Sequence, residues 1–149
     1  MSNIYLYILL AIVAGAMMPT QAATNNKMAA VVDSPLLAAF ISFVIGTLGL
    51  LIYTVASGTP IGNISAAKNA PPIAWIGGFL GAFFVTSTVL LVPRLGVAMT
   101  FSLIIAGQMI VTLVIDHYGL LGVPIKEISI ARGGGILLIT AGVILIRKF

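Results

Sequence analysis

Five long apolar runs, separated by charged and turn-forming residues, leave this chain few ways to fold. They cover residues 4–24, 35–55, 73–92, 97–115 and 130–146. A helix needs about 20 mostly apolar residues to cross the hydrocarbon core of a bilayer, and each run is close to that length. In lipid, backbone polar groups have to be satisfied within the spanning segment, which leaves helices as the economical solution. The expectation is an all-α integral membrane protein, a single domain of five transmembrane helices over residues 1–149. Composition agrees: the chain is 60% hydrophobic and 7% charged, far more apolar than a soluble domain of this size.

The same composition closes off other functions. There is no cysteine, so disulfides, thiol catalysis and cysteine-based metal sites are excluded. One histidine and three acids leave no material for a metal centre or a catalytic constellation, so neither an enzyme nor a cofactor is expected. The net charge of +4 is scattered and forms no basic patch, which argues against nucleic acid.

Along the chain, Lys27 and Asp33 mark the first exit from the membrane. The first helix can continue toward residue 32, which is too long for one upright span; its far end is then interfacial or bent. No Lys or Arg precedes its apolar core, so it does not read as a cleaved signal peptide. Residues 57–72, SGTPIGNISAAKNAPP, read as a loop. Trp75, the only tryptophan, stands where an interfacial anchor is expected. Pro93-Arg94-Leu95-Gly96 reads as a tight turn, Gly119 as the C-cap of the fourth helix, and residues 120–129 as a second loop.

The chemistry-bearing residues are few. Residues 15–26, GAMMPTQAATNN, bring a proline and a ladder of amides and hydroxyls into the first apolar segment. Pro19 cannot donate to the Gly15 carbonyl, which predicts a kink there. Gln21 and Asn25 are one turn apart with Thr24 beside them, so the three share a face. Two readings fit: these groups bind a substrate in a central cavity, or they bond across helices and lie in the far interface. Gln108, deep in the fourth helix, and Thr112 one turn on pose the same choice between lining a cavity and pinning two helices.

Asp116 and His117 are the only acid–imidazole neighbours. They suit a proton-coupling site. They equally suit a helix-end cluster in which His lies at a helix C-terminus and Asp116 pairs with Lys126 or Arg132. Arg132 near the start of an apolar helix is placed to snorkel to the headgroups as an interface anchor. Gly77 and Gly81, like Ala11 and Gly15 or Gly78 and Ala82, have the four-residue spacing of close helix packing. Gly133-Gly134-Gly135 lacks the Lys-Ser/Thr that a phosphate loop needs.

With five helices, Lys68, Lys126 and Arg132 fall on one side of the membrane and Lys27, Arg94, Arg147 and Lys148 on the other. So even a balance gives little instruction on orientation. Two oppositely oriented copies can then pair about an axis in the membrane plane, building from two chains what larger transporters build from inverted repeats. The alternative is one orientation, set weakly by Arg147 and Lys148.

Four stretches in order carry a family resemblance. They are Pro19-x-Gln21-x-x-x-Asn25; Trp75-Ile76-Gly77-Gly78-Phe79-Leu80-Gly81-Ala82 followed by Val92-Pro93-Arg94-Leu95-Gly96; AGQMIVTLVIDHYGLLG at residues 106–122; and Arg132 with Gly135 and Ala141-Gly142-Val143. Together they resemble the bacterial YdcZ family, a five-helix branch of the drug/metabolite transporter superfamily. The resemblance implies a multi-pass protein of the bacterial inner membrane whose partners are membrane lipid and an antiparallel second copy. It also implies a secondary transporter subunit that moves a small neutral or amphipathic metabolite or drug by alternating access. The alternative is a non-transporting membrane scaffold or accessory subunit. In one respect the chain departs from the small multidrug resistance branch, which carries a glutamate in its first helix. Here that helix has no acid, so antiport through a buried carboxylate is not implied.

Overall fold

The computed structural model describes residues 4–148, with the Arg147 side chain outside the described residues. Every regular element in them is helical: α1 (Ile4–Val32), α2 (Pro35–Ala56), a 3-10 segment (Ile61–Asn69), α3 (Pro72–Leu95), α4 (Val97–Tyr118), a short 3-10 turn (Leu120–Gly122) and α5 (Ile130–Lys148). Four of them, α1 to α4, are long and apolar enough to cross a membrane; the apolar part of α5, Ile130–Ile146, is shorter. The chain divides into two compact units, Met1–Pro93 and Arg94–Phe149.

In the first unit α1 and α2 pack as a hairpin. The link is two residues. Asp33 takes a left-handed φ of 51°, which ends α1. Ser34 then caps α2: its Oγ accepts the Leu37 N–H at 3.2 Å, and Pro35 fills the first helical position, where its missing N–H costs nothing. Such a link turns the chain back on itself. The buried positions of the pair are small or polar: Ala22 and Asn25 on α1, Ala38 and Ala39 on α2. Alanines let the two backbones approach closely. Gly81 of α3 faces α2, where a Cβ would rest 3.6 Å from the Phe43 ring; Gly77 faces open space. Of the glycine pair expected to mark a packing face, only Gly81 meets a neighbour.

α1 is one continuous helix through Pro19, 29 residues long. That is about 43 Å at 1.5 Å per residue, against about 30 Å for a hydrocarbon core. Elsewhere two turn expectations are revised. Residues 61–69, read as loop, wind into 3-10 helix, with Asn63 N–H donating to the Pro60 carbonyl and the Ser65 hydroxyl to that of Gly62. The stretch from Pro93 to Leu95, read as a tight turn, is the last turn of α3. One residue, Gly96, separates α3 from α4. Its φ of 77° is open to glycine and strained for other residues.

The second unit is an α4–α5 hairpin. Gly119 ends α4 in the left-handed conformation, φ 59°. Glycine is required there twice over, because a Cβ would come within 2.6 Å of the Ile125 side chain. The following segment folds back on the helix end, with Lys126 N–H donating to the Asp116 carbonyl at 2.8 Å. Ser129 then starts α5, its Oγ accepting the Arg132 N–H.

In both units most large apolar side chains point outward: Phe79 and Phe83 on α3, Leu137 and Leu138 on α5, Leu9 and Ile12 on α1. In water this surface would drive aggregation, whereas in a bilayer it meets lipid.

Candidate functional site

The polar ladder of α1 sorts into satisfied and unsatisfied groups. The Thr20 hydroxyl donates to the Ala16 carbonyl, Thr24 to that of Gln21, and the Asn26 amide to that of Ala22, all at 2.9–3.0 Å. These bonds stay within their own helix, as Ser and Thr commonly do in helices. The side chains of Gln21 and Asn25 make no hydrogen bond with any described residue. Gln21 is exposed. Asn25 is only 7% exposed, and its Nδ2 is shut away from solvent without a partner. A donor buried in this way costs roughly 1–3 kcal/mol.

Gln21, Thr24 and Asn25 border one cavity of about 280 Å³ between α1 and α2. Met28 completes the α1 side. Ala38, Ile41, Ser42 and Ile45 form the α2 side, a stripe at helical spacing. No lining residue is charged. The cavity offers amides and hydroxyls against an apolar wall, the chemistry of a pocket that takes an uncharged, partly polar molecule. Ser42 is the residue that a reading of the sequence passes over. Its one clue is the Asp33-Ser34-Pro35 link, which folds α2 back along the polar face of α1.

The other expected site residues are not among those lining this cavity. In the second unit, Thr112 borders a cavity of about 190 Å³ between α4 and α5, with Asp116, Arg132 and Gly135 among its lining residues. Gln108 lies exposed on α4. In the first unit, Gly15 and Pro19 lie on α1 before the Asn25 cavity, and a Cβ on Gly15 would meet nothing. Trp75, in the first turn of α3, is 60% exposed.

Asp116 and His117 are built into a fastening at the end of α4. Arg132 Nη1 donates to Asp116 Oδ2 at 3.3 Å and to the Lys126 carbonyl at 3.1 Å. Of the two cations within reach of Asp116, Arg132 therefore makes the ion pair, while Lys126 contributes its backbone. The guanidinium expected to reach for headgroups is engaged by protein. His117 Nδ1 accepts the Ile128 N–H at 3.3 Å. The His117 ring also meets Tyr118 edge-on, with centroids 4.7 Å apart.

A protein-family model described as "Putative inner membrane exporter, YdcZ" matches residues 6–145. No curated protein and no solved structure gives a significant match.

Proposed function

The chain belongs to the YdcZ family, a multi-pass family of the inner membrane, and from that premise we propose that it is a secondary transporter subunit acting as an antiparallel homodimer of five-span chains. α5 is the fifth span, shorter than the others. The substrate is small and neutral or amphipathic, and alternating access follows from exchanging the conformations of two oppositely oriented copies. The family's description as an exporter supports transport rather than catalysis.

One observation carries the assignment of the site: the Asn25 amide, buried beside an uncharged cavity with its donor unpartnered. A structural amide in lipid is expected to be paired. An unpaired one beside a cavity is ready for a ligand. Gln21 and Thr24 stand beside it. Gln108 and Thr112 stay separate candidates on α4 in the second unit, and Asp116 and His117, the candidates for proton coupling, are taken there as a fastening of the helix end.

The chain lacks cysteine, so single cysteines at Ser57, at Ser65 and near the C-terminus, with Arg147 and Lys148 kept, are clean topology probes. Each site labelling partly from both sides of intact membranes is the expected result. Labelling of every site from one side only overturns the inverted homodimer.

A further inference from the structure

The cavity beside Asn25 does not close at Ser42. A second volume of about 190 Å³ begins there, lined by Gln21, Ser42, Phe43, Gly46, Thr47 and Leu50. Gln21 and Ser42 border both volumes, so the two meet at these side chains, and we read them together as a groove along the α1–α2 seam. On α2 its floor climbs one turn at a time through Ala38, Ser42, Gly46 and Leu50. That is a run of about 18 Å at 1.5 Å per residue.

The two ends differ in chemistry. The first holds Gln21, Thr24 and Asn25, with the orphaned Asn25 Nδ2. In the second, beyond Ser42, Thr47 is the one polar side chain among Phe43, Gly46 and Leu50. No described helix packs against Gly46, since a Cβ built on it meets nothing within 4 Å. Its flank is open groove.

Building on the reading of the Asn25 cavity as part of the transport route, we propose that this groove binds an uncharged, single-tailed amphiphile. Its head, bearing an oxygen acceptor, lies against Gln21 and Asn25; its tail runs past Ser42 along Gly46 to Leu50. A cation would find no carboxylate along the groove, and an anion no Lys or Arg. An unpaired ion placed there would lose its hydration with nothing to replace it. An uncharged acceptor has a partner waiting, since the terminal amide torsion of Asn25 is soft enough to turn its donor toward the groove. A polar molecule with no tail would leave the Gly46 end unfilled. A bilayer phospholipid brings a second chain and a charged head.

The test uses the full chain in lipid nanodiscs and a series of straight-chain alkanamides carrying a photoactivatable diazirine at the tail end. The expected result is labelling near Ser42 by the short members that moves toward Leu50 as the tail lengthens. Alkyltrimethylammonium probes of matching length should not label. Gly46→Leu, which fills open space, should cut labelling by the long members about tenfold or more while sparing the short ones. Gly46→Ala, adding one methyl group to the same open space, serves as the folding control. Labelling indifferent to tail length, an equal effect of Gly46→Leu on short and long probes, or no label between residues 42 and 50 (as a second copy seated in the groove would give) overturns the assignment.

The underlying transport reading has a separate readout in Asn25→Leu, through protection of overproducing cells against compounds chosen in a resistance screen. Protection lost in Asn25→Leu while alkanamides never label the groove removes the amphiphile and keeps the transport site. Length-dependent labelling with protection intact in Asn25→Leu keeps the amphiphile and removes the groove from the route.

Discussion

Two helical hairpins in this chain are fastened in opposite ways. The α4–α5 pair is closed by a cation, an anion and returned backbone bonds: Arg132 on Asp116 and on the Lys126 carbonyl, Ile128 N–H on His117 Nδ1. The α1–α2 pair has no charged residue lining its cavity and leaves the amide of Asn25 buried and unpaired beside it. Polar atoms stand at both seams, half-buried or exposed in the second hairpin and buried at Asn25 in the first, and only those of the second are satisfied. A satisfied polar cluster rigidifies its surroundings, whereas an unsatisfied one keeps binding capacity in reserve. The contrast supports a structural role for one hairpin and, in the function proposed above, ligand contact for the other.

The sharpest way to break that contrast is Asn25→Leu. Replacing an unpaired amide by an apolar side chain of similar size should leave stability unchanged or raise it by about 1 kcal/mol, while function falls about tenfold or more. Thermal unfolding in nanodiscs together with the cell-protection assay reads both. A clear loss of stability would mean that Asn25 has a structural partner and the two seams are alike.

The next effect belongs to the other hairpin. Arg132→Ala leaves the Asp116 carboxylate, whose side chain is 27% exposed, without its cation. Half-buried pairs fall between surface and interior values, so a loss of roughly 1–3 kcal/mol is expected. Exchanging the two residues, Asp116→Arg with Arg132→Asp, should recover part of it in a double-mutant cycle. Function per folded molecule should hold; a loss beyond the fall in abundance would move Asp116 into the transport route.

The smallest effect separates fastening from proton coupling at His117. His117→Phe removes the acceptor of the Ile128 N–H, for about 0.5–1.5 kcal/mol. If His117 only fastens the helix end, the pH profile of cell protection keeps its shape in the variant. A flattened profile would make His117 the coupling group.

Much of this architecture is legible in the amino-acid sequence. Apolar runs between charges locate helices because lipid leaves the backbone no other arrangement. Gln21, Thr24 and Asn25 fall on one face because helical spacing needs no tertiary knowledge. The partner of Asp116 narrows to two candidate cations but not to one, since Lys126 and Arg132 both lie within reach along the chain. What stays hidden depends on how the chain turns. Ser42 is one hydroxyl in an apolar run until the Asp33–Ser34 link lays α2 along the polar face of α1. Pro93 looks like a stop signal, yet a proline in a final helical turn forfeits one hydrogen bond and need not break the helix, so α3 runs on to Leu95.

The two-residue link at Asp33–Ser34 also bears on how the protein enters the membrane. Every residue lining the groove lies between Gln21 and Leu50, so the translating ribosome completes this hairpin before α3, α4 or α5 exists. From Ile4 to Ala67 the chain contains one basic residue, Lys27. The insertion machinery thus meets first a hairpin carrying a single positive charge, and the six that could outvote it follow later. An early segment with so little electrostatic instruction leaves both orientations open, and the inverted homodimer proposed above would draw both from one message.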